Sequence, residues 1–200
     1  MLYSKSLSTP AIEYGKRFED VCRKSFEEET GLLVNMIGLC PDVEHGFLGA
    51  SPDRLIGEDE LIEIKCAYSL HLKNQDIHDA IRDNKQFYLK YNDVGQAVLK
   101  THHNYYYQVQ GLLNVTRRKS CYFVVYVDDE KPLFIQKIDR DENFWKTIML
   151  PGLKTFYMGC FLPEVLQHSI HRGIEYDYIP PVSVYLFCIL LFVFINLDCF

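Results

Sequence analysis

The sequence predicts an α/β (α+β) fold, a mixed central sheet flanked by helices. Three observations predict it. Segments with helix and strand periods follow the order α-β-β-β-α-α-β-β-α. A long amphipathic helix near the start is framed by Thr9-Pro10 and Gly31. Neither G-x-G-x-x-G nor a phosphate-binding G-x-x-x-x-G-K loop occurs anywhere, which sets the chain apart from dinucleotide-binding and P-loop units. The 200 residues suffice for one domain with a real core.

The first helix runs through AIEYGKRFEDVCRKSFEEE. Thr9 caps it, Pro10 sits in its first turn and Gly31 stops it. Its apolar stripe holds Ile12, Gly15, Phe18, Cys22 and Phe26, and Glu19 falls on that stripe. LLVNMIGL, residues 32–39, reads as a strand, and FLGASPDRLI and ELIEIKC read as the two arms of a hairpin. Residues 70–90 carry a looser helical pattern. HHNYYYQVQGLLNV is a second clear helix, on which Gln108 shares a face with Tyr105 and Leu112. CYFVVYV and LFIQKI flank the turn DDEKP as another hairpin. RDENFWKTIMLPGLKTFYMG is a last helix, with Pro151 expected to kink or break it.

A formal net charge of -6 excludes a polycation, so any nucleic-acid contact must come from a local patch. The seven cysteines are scattered without a C-x-x-C pair, which points away from zinc. Together with a start that does not read as a signal peptide, they predict reduced thiols in an intracellular protein of the nucleus or cytoplasm. After Ile179-Pro180-Pro181 the composition changes abruptly to VSVYLFCILLFVFINLDCF. Its apolar run is shorter than the ~20 residues that span a bilayer. Three readings stay open: a marginal membrane anchor, a buried strand or helix, or a segment foreign to the fold. The domain is therefore drawn as residues 1–180, with 181–200 as a tail.

The stretch SPDRLIGEDELIEIKC carries the chemistry. If residues 57–59 form the hairpin loop, its centre is residue 58, and Asp53 faces Glu63 because their numbers average to 58. Alternation puts Lys65 on the Glu63 face, with Ile62 and Ile64 on the other. Two facing carboxylates ~5 Å apart repel by roughly 3 kcal/mol at an effective dielectric of about 20. A lysine one pleat away offsets part of that, and a divalent cation offsets more. Oxygen-only donors suit Mg²⁺ or Mn²⁺, and phosphodiester hydrolysis uses such an ion. Taken by itself, the pattern also fits a surface hairpin with a solvated salt bridge.

Three motifs in order narrow the choice. GASPDRLI and LIEIKC resemble the PD-(D/E)XK nuclease signature, and more narrowly the lambda-exonuclease-like, YqaJ-type viral recombinase family. YGKRFEDVCRKSFEEETG resembles the first-helix motif of that family, with Glu19 as its acid. YYYQVQGLL resembles its Y-x-x-Q-V-Q helix, with Gln108 beside the lysine. The resemblance covers about residues 10–160. It implies a PD-(D/E)XK restriction-endonuclease-like core and a Mg²⁺-dependent deoxyribonuclease, with Mn²⁺ as an alternative ion, degrading duplex DNA from an end in recombination, in DNA repair or in a viral or mobile element.

In that reading Asp53 and Glu63 bind the metal, with the carbonyl of Ile64 as an extra ligand and Glu19 joining directly or through water. Lys65 activates the attacking water and Gln108 positions it. Arg54, Arg117, Arg118 and Lys119 are expected to meet DNA phosphates. Implied partners are duplex DNA ends, a single-strand annealing or recombination protein, and further copies of the chain.

The chain departs from the family pattern at Arg54, where glycine is usual, and at Ala67, where proline is usual. Only about ten residues precede the first helix, fewer than the family carries, which predicts an N-terminally truncated copy. Two rival readings follow: a catalytically inactive DNA-binding remnant of the same fold, and a membrane-anchored protein working through residues 182–197.

Overall fold

The computed structural model describes residues 8–167. Helix α1 (Pro10–Thr30) has the expected caps. Ile12 N donates to Thr9 Oγ1, and Gly31 closes the helix at φ +72° with its N–H on the carbonyl of Glu27. Then come β1 (Cys40–Pro41), β2 (Gly49–Ala50), β3 (Arg54–Ile56) and β4 (Glu60–Cys66). Next are α2 (Tyr68–Lys73), α3 (Ile77–Asp83), β5 (Leu89–Tyr91), β6 (Ala97–Leu99), α4 (Asn104–Thr116), β7 (Ser120–Tyr126) and β8 (Phe134–Asp139). The helical path then continues as α5 (Glu142–Phe144), a π-turn at Trp145–Met149, α6 (Leu150–Phe156), a second π-turn at Tyr157–Phe161 and α7 (Leu162–Gln167).

The main sheet has the order β3-β4-β7-β8. β4 and β7 are parallel, with Glu63 beside Phe123 and Lys65 beside Val125. The outer pairs β3–β4 and β7–β8 are antiparallel. This is the mixed sheet flanked by helices that the sequence predicts. The β3–β4 register, Arg54 with Ile62 and Ile56 with Glu60, centres the hairpin on residue 58 as the arithmetic required.

Both faces of the sheet are covered. On one, Ile56, Ile62, Ile64, Val124 and Tyr126 pack with Cys22 and Phe26 of α1. On the other, Leu61, Cys121, Phe123 and Val125 pack with Val109, Leu112 and Leu113 of α4 and with Trp145 and Met149. β4 is thus a central strand buried on both sides, not the arm of a solvated surface hairpin. Burial at about 25 cal/mol per Å² of apolar surface is what holds its charged residues inside.

Four expected elements differ. Residues 32–39 do not form a strand; only Asn35 bridges Leu55, and Leu33, Met36 and Leu39 point to solvent. The expected single arm FLGASPDRLI splits into β2 and β3, parting at Ser51–Asp53. The region 70–90 holds two short helices and opens a small β5–β6 hairpin that has no clear sequence period. Pro151 does not break the last helix. Each π-turn ends two residues ahead of a proline, at Met149 before Pro151 and at Phe161 before Pro163. Proline lacks an N–H and crowds the carbonyl four residues back, and the wider turn relieves that crowding. Residues 182–197, and with them the readings of the tail, lie outside the described residues. Among the described residues no helix is long and apolar enough to cross a membrane.

Two measurements test this account. Nothing lies within 4 Å of a Cβ built on Gly31, so Gly31→Ala meets only backbone strain. It is expected to cost about 1 kcal/mol in urea unfolding with an unchanged denaturant slope; no loss would show that the left-handed cap does not set the helix end. His103 caps α4, accepting from Tyr105 N at 3.2 Å. Burial, then His102 and Lys100, depress its pKa from 6.5 to about 4. The folded chain holds it neutral while the unfolded chain protonates, so stability is full above 6.5 and falls as pH drops toward 4. His103→Asn keeps a capping acceptor and is expected to flatten that acid limb in thermal melts.

Candidate active site

β3 leaves β4 just before Arg54, and the site forms in the gap. Asp53, the residue ahead of β3, turns its carboxylate onto the freed edge, where Oδ2 accepts from Ile64 N at 2.6 Å. In an extended strand the N–H and C=O of one residue point to the same edge, so the Ile64 carbonyl faces Asp53 as well. Glu63 is 2% exposed and Lys65 7%. Lys65 Nζ donates to Glu63 Oε1 at 2.9 Å, and Gln108 Nε2 reaches the same oxygen from α4. The structure therefore brings Asp53, Glu63, Ile64, Lys65 and Gln108 together from the turn before β3, from β4 and from α4.

Burial first, and then the facing Glu63 carboxylate, push Asp53 well above the usual carboxylate range, against the pull of Lys65 and the Ile64 N–H. Two acids crowded into a covered strand edge are short of positive charge. Oxygen donors in that state suit a hard divalent cation, which takes one or two carboxylates and leaves positions for water and phosphate. Among the described residues no group of three or more Asp, Glu, His or Cys is gathered as a complete cage. The donor set that fits is thus Asp53 and Glu63, with the main-chain carbonyl of Ile64.

Glu19 reaches the site from α1, where its charge adds to the upward push on Asp53. In this structure its Oε1 accepts from Arg54 Nη1 at 3.1 Å. Arg54 lies on the α1 side of the sheet because it pairs with Ile62, whose side chain faces α1. The same Nη1 donates to the Asp53 carbonyl, and Nη2 lies 3.5 Å from Asp20 Oδ1.

The other basic candidates are not gathered here. Arg118 Nη1 donates to the carbonyls of Gly57 and Glu60 at 2.8 and 2.7 Å. Lys119 pairs with Asp59 at 2.7 Å, and Arg117 with Glu44 at 3.1 Å and Asp42 at 3.4 Å. Ser120 pairs with Glu60 and Val125 with Lys65, so Lys119 stands about 16 Å or more along the strands from Lys65. In this structure Arg118 and Lys119 lock the hairpin tip to the start of β7, and Arg117 ties the end of α4 to the loop between β1 and β2.

Two residues were not assigned roles from the sequence. The Tyr105 ring lies 5.0 Å under Lys65 Nζ, a cation–π contact that fixes the ammonium beside Glu63; its spacing of three residues from Gln108 was the available signal. Gln110 is fully buried, donating to the Asp139 carbonyl at 2.9 Å and accepting from Asp141 N at 2.7 Å. The two glutamines of QVQ thus face different ways, one to the acids and one to the end of β8.

The model of the YqaJ-like viral recombinase domain matches residues 2–119, a stretch that includes α1, the β3–β4 hairpin and α4. Among solved structures, LHK-Exo in complex with dAMP is 26% identical with a TM-score of 0.60, over 85% of this chain and 77% of its own. The alkaline exonuclease LHK-Exo from Laribacter hongkongensis, in a second structure, is 25% identical with a TM-score of 0.53, over 84% and 75%. No curated protein matches the chain. The resemblance read from three short motifs therefore holds across the fold, and these neighbours share the expected lambda-exonuclease-like PD-(D/E)XK core.

Asp53→Asn keeps an acceptor for the Ile64 N–H and removes one of the two charges. In excess chelator it is expected to raise the stability of the protein by on the order of 1 kcal/mol, read from urea unfolding at neutral pH. Equal or lower stability would mean that the two acids do not oppose each other.

Proposed function

The chain belongs to the YqaJ-like viral recombinase domain family, and on that premise we propose that it is a Mg²⁺-dependent deoxyribonuclease that hydrolyses duplex DNA from an end. The observation that carries this reading is the convergence of Asp53, Glu63, Lys65 and Gln108 at one covered strand edge. The family and the exonuclease neighbours support nuclease chemistry; the ion is inferred from the donor set, and the duplex substrate is what the family resemblance implies.

Asp53, Glu63 and the Ile64 carbonyl would hold Mg²⁺, and Mn²⁺ suits the same donors. When bound, such an ion supplies electrophilic stabilisation of the phosphate and a nucleophile available at neutral pH. Lys65 remains the local cation of the protein itself. Held by Glu63 and Tyr105, its ammonium orients the attacking water and offsets charge developing on the phosphate oxygens. Gln108 shares the Glu63 oxygen with Lys65, so it fixes the carboxylate rotamer and presents an amide to the same space. Burial strengthens each of these interactions by excluding bulk water. LHK-Exo is described in complex with dAMP; a deoxynucleoside monophosphate is the product that end-wise hydrolysis by this chain would release.

The decisive experiment incubates the full chain with linear duplex DNA and follows mononucleotide release with Mg²⁺ or chelator. Activity is expected only with the ion. Lys65→Ala and Asp53→Asn are each expected to lose at least about 10²-fold while remaining folded. Wild type and Lys65→Ala behaving alike, with no release from either, would overturn the enzyme reading for this chain.

A further inference from the structure

Around the site there are two groups of hard oxygens. One is Asp53 and Glu63 with the Ile64 carbonyl, on the α4 side of the sheet. The other is Glu19 Oε1 and the main-chain carbonyl of Asp53, on the α1 side. A single nitrogen, Arg54 Nη1, donates to both oxygens of the second group, at 3.1 Å from Glu19. The Arg54 side chain is only 16% exposed, so its charge is held in place rather than waving in solvent. Strand register sets this placement: Arg54 opens β3 opposite Ile62, whose side chain faces α1, so Arg54 projects onto α1, where Glu19 waits.

A guanidinium is charged at every accessible pH and is more weakly hydrated than an ammonium. It needs neither a dissociable ion nor the dehydration that Mg²⁺ resists. A second divalent ion would have to enter beside a fixed positive charge and take Glu19 and the Asp53 carbonyl away from it. We propose that Arg54 is a built-in cation that fills this second oxygen group, so that the chain takes one divalent ion, between Asp53 and Glu63, and Glu19 serves as the anchor of Arg54 instead of a metal ligand. Arg54 then acts as a positioning residue. It neutralises Glu19, steadies the turn that aims Asp53 at Ile64, and leaves the single ion site to the acids of the hairpin. This inference rests on the proposed ion site between Asp53 and Glu63.

Counting bound ions tests it without reference to turnover. Mn²⁺ is titrated into the full chain, and the free ion is followed by its electron paramagnetic resonance signal, which is lost on binding. Wild type is expected to bind one Mn²⁺ per chain, and Glu19→Gln also one. Arg54→Ala is expected to bind two, and the double variant Arg54→Ala/Glu19→Gln to return to one. Arg54→Gln, close in shape but neutral, supplies the same comparison should the alanine variant fail to fold, and Arg54→Lys, which keeps the charge, is expected to stay at one. Two ions on wild type, or one ion on folded Arg54→Ala or Arg54→Gln, overturns the role of Arg54 while leaving the Asp53–Glu63 site standing. No ion on wild type, or a single ion that survives Asp53→Asn, overturns the site itself and the inference with it.

Discussion

The site depends on a conflict: two carboxylates brought together at a strand edge that the fold has already covered. Asp53 and Glu63 meet because β3 and β4 share a register centred on residue 58. They are hidden because α1 and α4 close over both faces of β4. In water the repulsion between them would be minor. Under cover, burial first and the Glu63 charge second lift Asp53 out of the normal carboxylate range, and each neighbour is understood by what it does about that charge. Lys65 answers Glu63 directly, the Ile64 N–H answers Asp53, and Gln108 shares the Glu63 oxygen.

The scaffold delivers these groups from far apart in the chain. α4 belongs to the long crossover between the parallel strands β4 and β7, so Gln108 and Tyr105 return to the strand that the hairpin began. Tyr105 braces Lys65 from below and itself packs tilted against Phe123 and edge-on to Tyr88. Gln110 pins the same helix to the turn after β8. The depth of Gln108 is therefore set by a buried amide two residues along on a different face. Preorganisation of this kind matters for a nuclease, because aligned donors cost no reorganisation when charge develops.

Arg54 shows how one side chain can change the character of such a site. It follows Asp53 in sequence yet faces the opposite side of the sheet, so it links α1 to the hairpin and engages an acid that the motif alone assigns to metal. Arg118 and Lys119 teach the converse lesson. A run of three cations after α4 reads as a phosphate patch, but the parallel pairing of β7 with β4 sets it against the hairpin tip. There Asp59 and the carbonyls of Gly57 and Glu60 take up two of the charges.

Local physics made much of the protein legible in its sequence. The limits of α1 follow from a capping threonine, a proline and a glycine. The facing of Asp53 and Glu63 follows from the fixed period of a strand. Spacing alone put Gln108 and Tyr105 on one helix face. Where only weak local signals act, the sequence misleads. Residues 32–39 alternate like a strand but find only one bridge partner, and β5 and β6 are too short to show a period. The burial of β4 on both faces, the cation–π seat of Lys65, the capture of Glu19 by Arg54 and the locking of Arg118 and Lys119 belong to the tertiary structure alone. Each arises from contacts between residues about 35 to 60 positions apart, and no periodicity or propensity encodes which distant partner will be met.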